Sequence, residues 1–546
     1  MLKRLFRFIE HQPITLSQWV ASFLGILFVR FFFENLSSET FTGIMATDVA
    51  TNVHYVLFYL AVALSLWLLL GGLLPIKRKV IGNVLLFGFL LVWLAPLLDL
   101  LISWGEGFGM AYLSQRPEHL FNSWLTFFGP LDLPGATPGI RIEIVLIVLL
   151  IAAYVWQSSK SFWKTAVGLV GGYSVIFLWG SLPSVIFAIA TAFGYVPTEL
   201  TQVNAVALFF FQAIQDSAIS LHVLHPTMLF NSPDRKYEFF FNIVLSQVYF
   251  VAIPILLASV MRWARPMWLK AVVKNARPER ITHYVLLTLL GVGLAFGFDD
   301  VQLTWNWLNV LTLIVLLSSV ACAWLYAVAQ NDLADVKIDK KTNKNRPLIT
   351  HAMNDEQMRK TSYAFLAWAL LGAYLVSHYA LFFVAVYVAL SHIYSMPPLR
   401  LRRIPILSTF LIALAGLMVT MAGFYSFACD QGAEAFERSW ALLILLIFTM
   451  AANVKDVKDR EGDGADRVLT LPVLLGDRRG RLVIGLLLAT SFLLVPALLS
   501  VSAIWIPTLI GAVLAVGLML KEPFNEKWIF GLYFAYVIVV ASMLLS

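Results

Sequence analysis

Charge is scarce in this 546-residue chain: Asp, Glu, Lys and Arg make up 13% of it, against roughly 25% in soluble domains. Hydrophobic residues make up 60%, and the mean hydropathy is +0.80. Apolar segments long enough to cross about 30 Å of hydrocarbon recur from end to end. This composition excludes an ordinary soluble protein and predicts an all-α polytopic membrane protein.

Cysteine is also nearly absent, since Cys322 and Cys429 are the only two. They cannot form a CxxC metal or redox site, and we expect no disulfide framework. The first apolar run is not followed by an A-x-A-like site, so it is predicted to remain as an anchor. The net charge of +7 is better explained by cytoplasmic loops and anionic lipid headgroups than by nucleic acid. We therefore expect membrane lipids, and no nucleic acid, as partners.

The second half of the chain divides into nine apolar segments. Predicted helices cover 283–298, 304–330, 361–377, 379–395, 406–428, 439–455, 481–500, 502–520 and 527–545. Every second connection is basic, and the connections between them are acidic or nearly neutral. The positive-inside rule therefore places all the basic loops on the cytoplasmic face.

The first half contains seven apolar runs, yet its span count should be even. Lys3, Arg4 and Arg7 predict a cytoplasmic N-terminus, and the basic stretch 262–280 is predicted on the same side. Either the run 164–195 is a hairpin broken near Pro183, or the polar run 203–223 does not span. We favour the second alternative and six spans. The predicted domains are an N-terminal multi-span membrane domain of unknown role, 1–270, and a second domain, 271–546.

Two acidic motifs in the second half share one spacing. Asp332, Asp335 and Asp339 follow one apolar run, and Asp456, Asp459 and Asp463 follow another. On a helix, each set falls within a stripe roughly 60° wide. All-oxygen ligands without nearby His or Cys favour Mg²⁺, which completes its shell with water and phosphate oxygens. Two facing acidic rows therefore predict a diphosphate site with bridging metal ions.

The residues around these motifs resemble the UbiA superfamily of intramembrane prenyltransferases. Asn331 to Asp339, followed by Asn345-Arg-Pro-Leu348, is similar to the first signature of that family. Asp456 to Asp463, followed by Thr470-Leu-Pro472, is similar to the second. Tyr394-Ser-Met-Pro-Pro398 resembles the turn after its fourth helix. The resemblance covers about 280–546, implies a nine-helix transmembrane bundle with the motifs after its second and sixth helices, and does not extend to 1–280.

The resemblance also implies the site residues. The Mg²⁺ ligands would be Asp332, Asp335, Asp456 and Asp459, with Asp339 and Asp463 next. The substrate contacts would be Asn331, Lys344, Arg346, Ser395, Lys455 and Lys458, and Tyr394 would act in catalysis by steadying an allylic cation. For the lysines and Arg346, an ordinary positive-inside loop is an equally weighted alternative.

The function implied is Mg²⁺-dependent transfer of a polyprenyl group from a polyprenyl diphosphate to an acceptor within the membrane. The acceptor would be an aromatic or quinone precursor or a lipid-like molecule. The location would be the cell membrane, with the site on the cytoplasmic face. The alternative is a cation-binding membrane carrier or lipid-handling scaffold without transferase chemistry. A carrier would be expected to have broken helices near the bilayer midplane, whereas both motifs lie at predicted helix ends.

Overall fold

The computed structural model describes residues 2–36, 49–76, 78–105, 108, 112–130, 135–194, 205–217, 233–297, 306–428, 435–465, 469–499 and 501–545. Throughout these residues the regular elements are helices. The chain separates into two compact units, of which the first contains 1–220, 225–269 and 306–311, and the second contains 221–224, 270–305 and 312–546. The separate roles assigned to 1–270 and 271–546 stay a prediction.

The first unit is built largely from apolar helices. Its helices are α1 (Leu2–Glu10), α2 (Leu16–Leu36), α3 (Val49–Leu73), α4 (Arg78–Gly88), α5 (Leu94–Ile102), α6 (Pro117–Leu125), α7 (Pro138–Ser159), α8 (Phe162–Gly180), α9 (Leu182–Ala192), α10 (Ala205–Gln215) and α11 (Pro233–Ala264). A 3₁₀ turn, Phe89–Trp93, joins α4 to α5. Helix α12 (Pro266–Lys274) leads into the second unit.

The second unit contains the nine long helices expected from the sequence, within its described residues. They are α13 (Pro278–Phe296), α14 (Trp307–Ala334), α16 (Asp355–Val376), α17 (His378–Ser395), α18 (Leu407–Tyr425), α19 (Arg438–Ala451), α22 (Asp477–Leu499), α23 (Trp505–Leu520) and α24 (Glu526–Leu545). Three shorter helices, α15 (Val336–Thr342), α20 (Val454–Ala465) and α21 (Leu471–Leu475), lie between them.

Thirteen helical segments in the described part of the chain are long and apolar enough to cross a membrane. Six of them precede residue 270, and seven follow it. The prediction of an all-α, multi-pass integral membrane protein is confirmed. In the first half, the helix over 205–215 has only 11 residues, and the run 164–195 is interrupted at Ser181. The helix after this interruption, α9, also has only 11 residues, so neither α9 nor α10 counts as a span and six remain.

Two glycines allow α13 and α18 to cross backbone to backbone. A Cβ added at Gly291 would lie 1.9 Å from the carbonyl oxygen of Thr420, and one added at Gly423 would lie 2.1 Å from that of Thr288. Small residues permit this close approach between membrane helices. The crossing fixes α13, which carries one wall of the cavity described below.

The first acidic motif does not lie on one continuous helix, so that part of the sequence prediction is wrong. Helix α14 ends at Ala334, and Asp335 has φ −106° and ψ 11° before α15 begins. Helical ψ is close to −42°, so this single residue turns the chain. Asp332 therefore lies on a different helix from Asp339. The second motif does lie on one helix, α20.

Candidate active site

A cavity of about 500 Å³ lies inside the second unit. Its polar end is formed by residues of both acidic motifs, of α13 and of the segment after α17. Its body is apolar, and the residues that form it include Leu287, Leu290, Leu411, Ala415, Leu443, Ile444, Phe448, Leu488, Phe492, Val495 and Val540. The cavity thus combines a charged end with a hydrocarbon-like interior.

The first motif contributes two carboxylates to this cavity, those of Asp335 and Asp339. Both residues are buried, at 4% and 5% exposure. Asp339 accepts a hydrogen bond from Asn343 Nδ2 at 2.9 Å. Burial raises the pKa of the Asp339 carboxyl because desolvation disfavours its charged form, and the Asn343 hydrogen bond opposes this. A bound cation would restore the charged carboxylate.

Asp335 is held by two guanidinium groups from the segment after α17. Arg400 Nη2 donates to Asp335 Oδ1 at 2.8 Å, and Arg402 Nη1 pairs with Oδ2. Of these two arginines, Arg402 lines the cavity. In the sequence both arginines indicated only a cytoplasmic loop. Their position directly after the Pro397-Pro398 turn was the one signal that could have assigned them to the site.

Asp332 is not among the described residues that line the cavity. It is 1% exposed. Asn275 Nδ2 donates to its Oδ2 at 2.7 Å, and Arg277 Nη2 donates to its Oδ1 at 2.5 Å. Arg346 Nε is 4.0 Å from the same Oδ1. Asp332 thereby positions Arg277 and Arg346, both of which line the cavity. No sequence motif singled out Asn275 or Arg277 as a site residue.

The second motif reaches the same cavity from α20. Lys455, Asp456 and Lys458 line it, and Asp456 is buried. Helices α15 and α20 contact each other, so the two motifs adjoin. Asp459 and Asp463 lie on α20, but their side chains are outside the described part of the structure.

Tyr394 and Ser395 connect the two motifs. Lys455 Nζ donates to the Tyr394 hydroxyl and lies 4.9 Å from the centroid of its ring. The Ser395 hydroxyl donates to Asn331 Oδ1 at 3.3 Å. All four residues line the cavity. Lys344, by contrast, is exposed and is not among the lining residues.

Most of the residues named from the sequence are therefore brought together. Those that line the cavity are Asn331, Asp335, Asp339, Arg346, Tyr394, Ser395, Lys455, Asp456 and Lys458. Within the described residues, no three His, Cys, Asp or Glu side chains form a ready metal cluster. The donor set still suits Mg²⁺, because this ion commonly takes one or two carboxylates and fills its shell with water and phosphate oxygens.

Comparison with known proteins places this site in a family. Residues 284–524 match the UbiA prenyltransferase family. A probable homogentisate phytyltransferase 2 of Oryza sativa subsp. japonica is 28% identical over 211 residues, which are 37% of this chain and 54% of that protein. The homogentisate phytyltransferase of Synechocystis is 29% identical over 219 residues, covering 34% of this chain and 69% of that protein.

An archaeal relative and a solved structure are also similar to part of this chain. The digeranylgeranylglyceryl phosphate synthase of Pyrococcus furiosus is 25% identical over 220 residues, covering 40% of this chain and 73% of that protein. A UbiA homolog from Archaeoglobus fulgidus bound to GPP and Mg²⁺ has a TM-score of 0.38 and 18% identity, covering 50% of this chain and 97% of that one. The resemblance seen in the two acidic motifs is confirmed by the match of residues 284–524 to the UbiA prenyltransferase family.

Proposed function

We propose that the C-terminal half transfers a prenyl group from a prenyl diphosphate to an acceptor within the membrane, with Mg²⁺ at the diphosphate. The observation that carries this proposal is the single cavity whose charged end is built from both acidic motifs and whose body is apolar. A prenyl diphosphate has the same division, with a highly charged head and a hydrocarbon chain. The family of residues 284–524 supports the same chemistry.

The cations at the polar end would bind the diphosphate oxygens. Arg346, Arg402, Lys455 and Lys458 line this end, and guanidinium and ammonium groups form strong charge-assisted hydrogen bonds with phosphate. They stabilise the negative charge that develops on the leaving group as the C1–O bond breaks. Because Arg402 also pairs with Asp335, its orientation is set before substrate enters.

Bound Mg²⁺ would supply further neutralisation of the leaving group. Of the motif carboxylates that the structure describes, those of Asp335, Asp339 and Asp456 line the cavity and would hold it. Asp459 and Asp463 remain candidates from the sequence. Asp332 is assigned a positioning role, because it is not among the described residues that line the cavity and its carboxylate is hydrogen-bonded to Asn275 and Arg277.

The allylic cation left by ionisation needs a neighbour that stabilises it without capturing it. We assign this role to Tyr394, whose ring lines the cavity between the two motifs and can interact with a cation. Its hydroxyl oxygen accepts a hydrogen bond from Lys455. This hydrogen bond makes the oxygen a poorer nucleophile, because it occupies a lone pair. The apolar body would hold the prenyl chain and exclude water from the cation.

For the acceptor, we propose an aromatic acid or a lipid-like phosphate. The relatives bear the names homogentisate phytyltransferase and digeranylgeranylglyceryl phosphate synthase. We further propose that the protein lies in the cell membrane with its active-site loops in the cytoplasm, since both motifs adjoin basic loops.

The test uses the purified full chain in detergent with geranylgeranyl diphosphate and either homogentisate or a geranylgeranylglyceryl phosphate. We expect prenylated product by mass spectrometry, loss of turnover in EDTA and recovery with Mg²⁺. Full turnover in chelator would refute the metal assignment. Absence of any product with both acceptor classes, from folded protein, would count against the transferase.

A mutant cycle tests whether the two motifs act as one site. Asp335→Asn and Asp456→Asn should each remove most turnover, and the double variant should be little worse than either, because groups that act as a unit are not additive. Asp355→Asn is the matched control, since Asp355 is an exposed carboxylate at the start of α16. Two small, additive losses in folded protein would separate the second motif from catalysis.

A further inference from the structure

A second cavity, of about 430 Å³, lies inside the N-terminal unit. We call it the N-terminal cavity; its walls come chiefly from α3, α4 and α7. Its lining residues run from His54 to Leu70 on α3 and from Ile140 to Tyr154 on α7. At 1.5 Å per residue, the stretch from Glu143 to Tyr154 is about 17 Å long. The cavity is therefore an elongated slot of a size typical for small-molecule sites.

One end of the N-terminal cavity is polar and already charge-paired. Arg30, 2% exposed, donates to Glu143 Oε2 at 3.0 Å and lies 3.7 Å from Glu34. Its guanidinium also stacks 5.3 Å from the centroid of the Tyr59 ring. One buried cation thus faces two carboxylates. A further anion here would meet uncompensated negative charge in a low-dielectric site.

At the same end, one ring nitrogen of His54 has no hydrogen-bond partner among the described residues. Its Nε2 is 2.7 Å from the hydroxyl of Tyr112, which is 3.0 Å from that of Tyr249. Its Nδ1 is buried and has no hydrogen-bond partner among the residues that the structure describes. His54 is 1% exposed and lines the cavity. A buried ring nitrogen without a partner is costly, and a ligand oxygen in the cavity would satisfy it.

The remainder of the cavity is lined mainly by apolar side chains. Val62, Leu66 and Leu70 follow His54 at helical spacing along α3, and Ile147 and Leu150 face them from α7. These residues belong to, or pack against, one hydrophobic cluster of the unit. The contents of such a slot must be apolar over most of their length.

We propose that the N-terminal cavity binds one neutral amphiphile, with a hydroxyl- or carbonyl-bearing head beside His54 and a single apolar chain between α3 and α7. The inference is independent of the function proposed for the C-terminal half. Glu143 and Glu34 already pair with Arg30, so a carboxylate or diphosphate head is excluded from this end, and we assign an uncharged head. Isoprenoid alcohols and prenylated phenols have this chemistry.

The experiment uses the full chain in lipid nanodiscs, with EDTA present and a farnesol that carries a diazirine on its chain. After photolysis, we expect mass spectrometry to map the label to peptides of α3 and α7. Unlabelled farnesol should compete, and farnesyl diphosphate, which has the same tail, should not. Label found only on peptides of the second unit would overturn the proposal, and equal competition by the diphosphate would overturn the neutral head.

Matched variants separate the slot from the lipid-facing surface. Leu150→Trp fills the cavity and should remove most of the labelling, whereas Leu149→Trp, at a position 53% exposed and outside the lining, should leave it unchanged. His54→Phe should weaken binding about tenfold, as expected for the loss of one hydrogen bond. Melting curves identify any variant that fails to fold; if Leu150→Trp does, unchanged affinity in folded His54→Phe overturns the proposal.

Discussion

Replacement of Gly291 by alanine should destabilise the C-terminal unit, although alanine is the better helix former. The added Cβ would lie 1.9 Å from the Thr420 carbonyl oxygen and 2.9 Å from the Phe424 nitrogen. Both atoms are backbone, so no side-chain rotation can relieve the overlap. The crossing of α13 and α18 must open by about 1 Å or more before the methyl group fits.

The magnitude follows from two opposing effects. Overpacking of a well-packed interior costs about 1 to 3 kcal/mol, and a rigid backbone contact belongs at the upper end. Removing glycine from a helix interior returns about 1 kcal/mol. We therefore expect a net loss of about 2 kcal/mol for Gly291→Ala. Turnover should fall as well, because α13 carries cavity residues such as Arg280 and His283.

The control is on the same helix. A Cβ added at Gly293 meets nothing within 4 Å, so Gly293→Ala should be neutral or stabilising by up to about 1 kcal/mol. Unfolding by SDS titration in mixed micelles, followed by circular dichroism, compares the two variants. Gly423→Ala combined with Gly291→Ala should cost less than the sum of the two, because one opening relieves both contacts. Equal stability of the Gly291 and Gly293 variants would refute the backbone contact.

Two further predictions concern topology and the first unit. In a protein with both native cysteines replaced by serine, a cysteine at Lys344 should react with a membrane-impermeant maleimide only from the cytoplasmic side, and one at Glu437 only from outside; labelling of both from one side contradicts the proposed orientation. Glu143→Gln should destabilise the protein by about 3 kcal/mol, since it leaves the buried charge of Arg30 with only the more distant carboxylate of Glu34, at 3.7 Å. Glu118→Gln, in an exposed ion pair, should cost less than about 1 kcal/mol, and a similar cost for both would contradict a buried pair.

The sequence was sufficient for the features that depend on neighbouring residues. A membrane helix is a continuous apolar stretch of sequence. The ends of most helices in the second half were therefore predicted to within a few residues. The spacing of Asp456, Asp459 and Asp463 likewise survives in α20. The family could be recognised from the two motifs because the residues that define each motif are close together in the sequence.

Contacts between distant parts of the chain decided the rest. The partners of Asp332 are Asn275 and Arg277, and those of Asp335 are Arg400 and Arg402. Apart from the Pro397-Pro398 turn that precedes Arg400 and Arg402, nothing in the local pattern distinguishes these arginines from other positive-inside charges. The break in the helix at Asp335 separates the two carboxylates, which a regular helix would have kept on one stripe.

In the N-terminal half, too, local sequence predicted the helices, and only contacts between distant residues formed the site. Its composition determined that it is a bundle of membrane helices, because in lipid each helix must satisfy its own backbone. Its cavity was not predictable, since Arg30 meets Glu143 and His54 meets Tyr112 only after α2, α3 and α7 pack together. The sequence by itself determined which segments enter the membrane and which motif they carry. Tertiary packing alone decided which buried charges are paired, which ring nitrogen is left over, and where the two cavities lie.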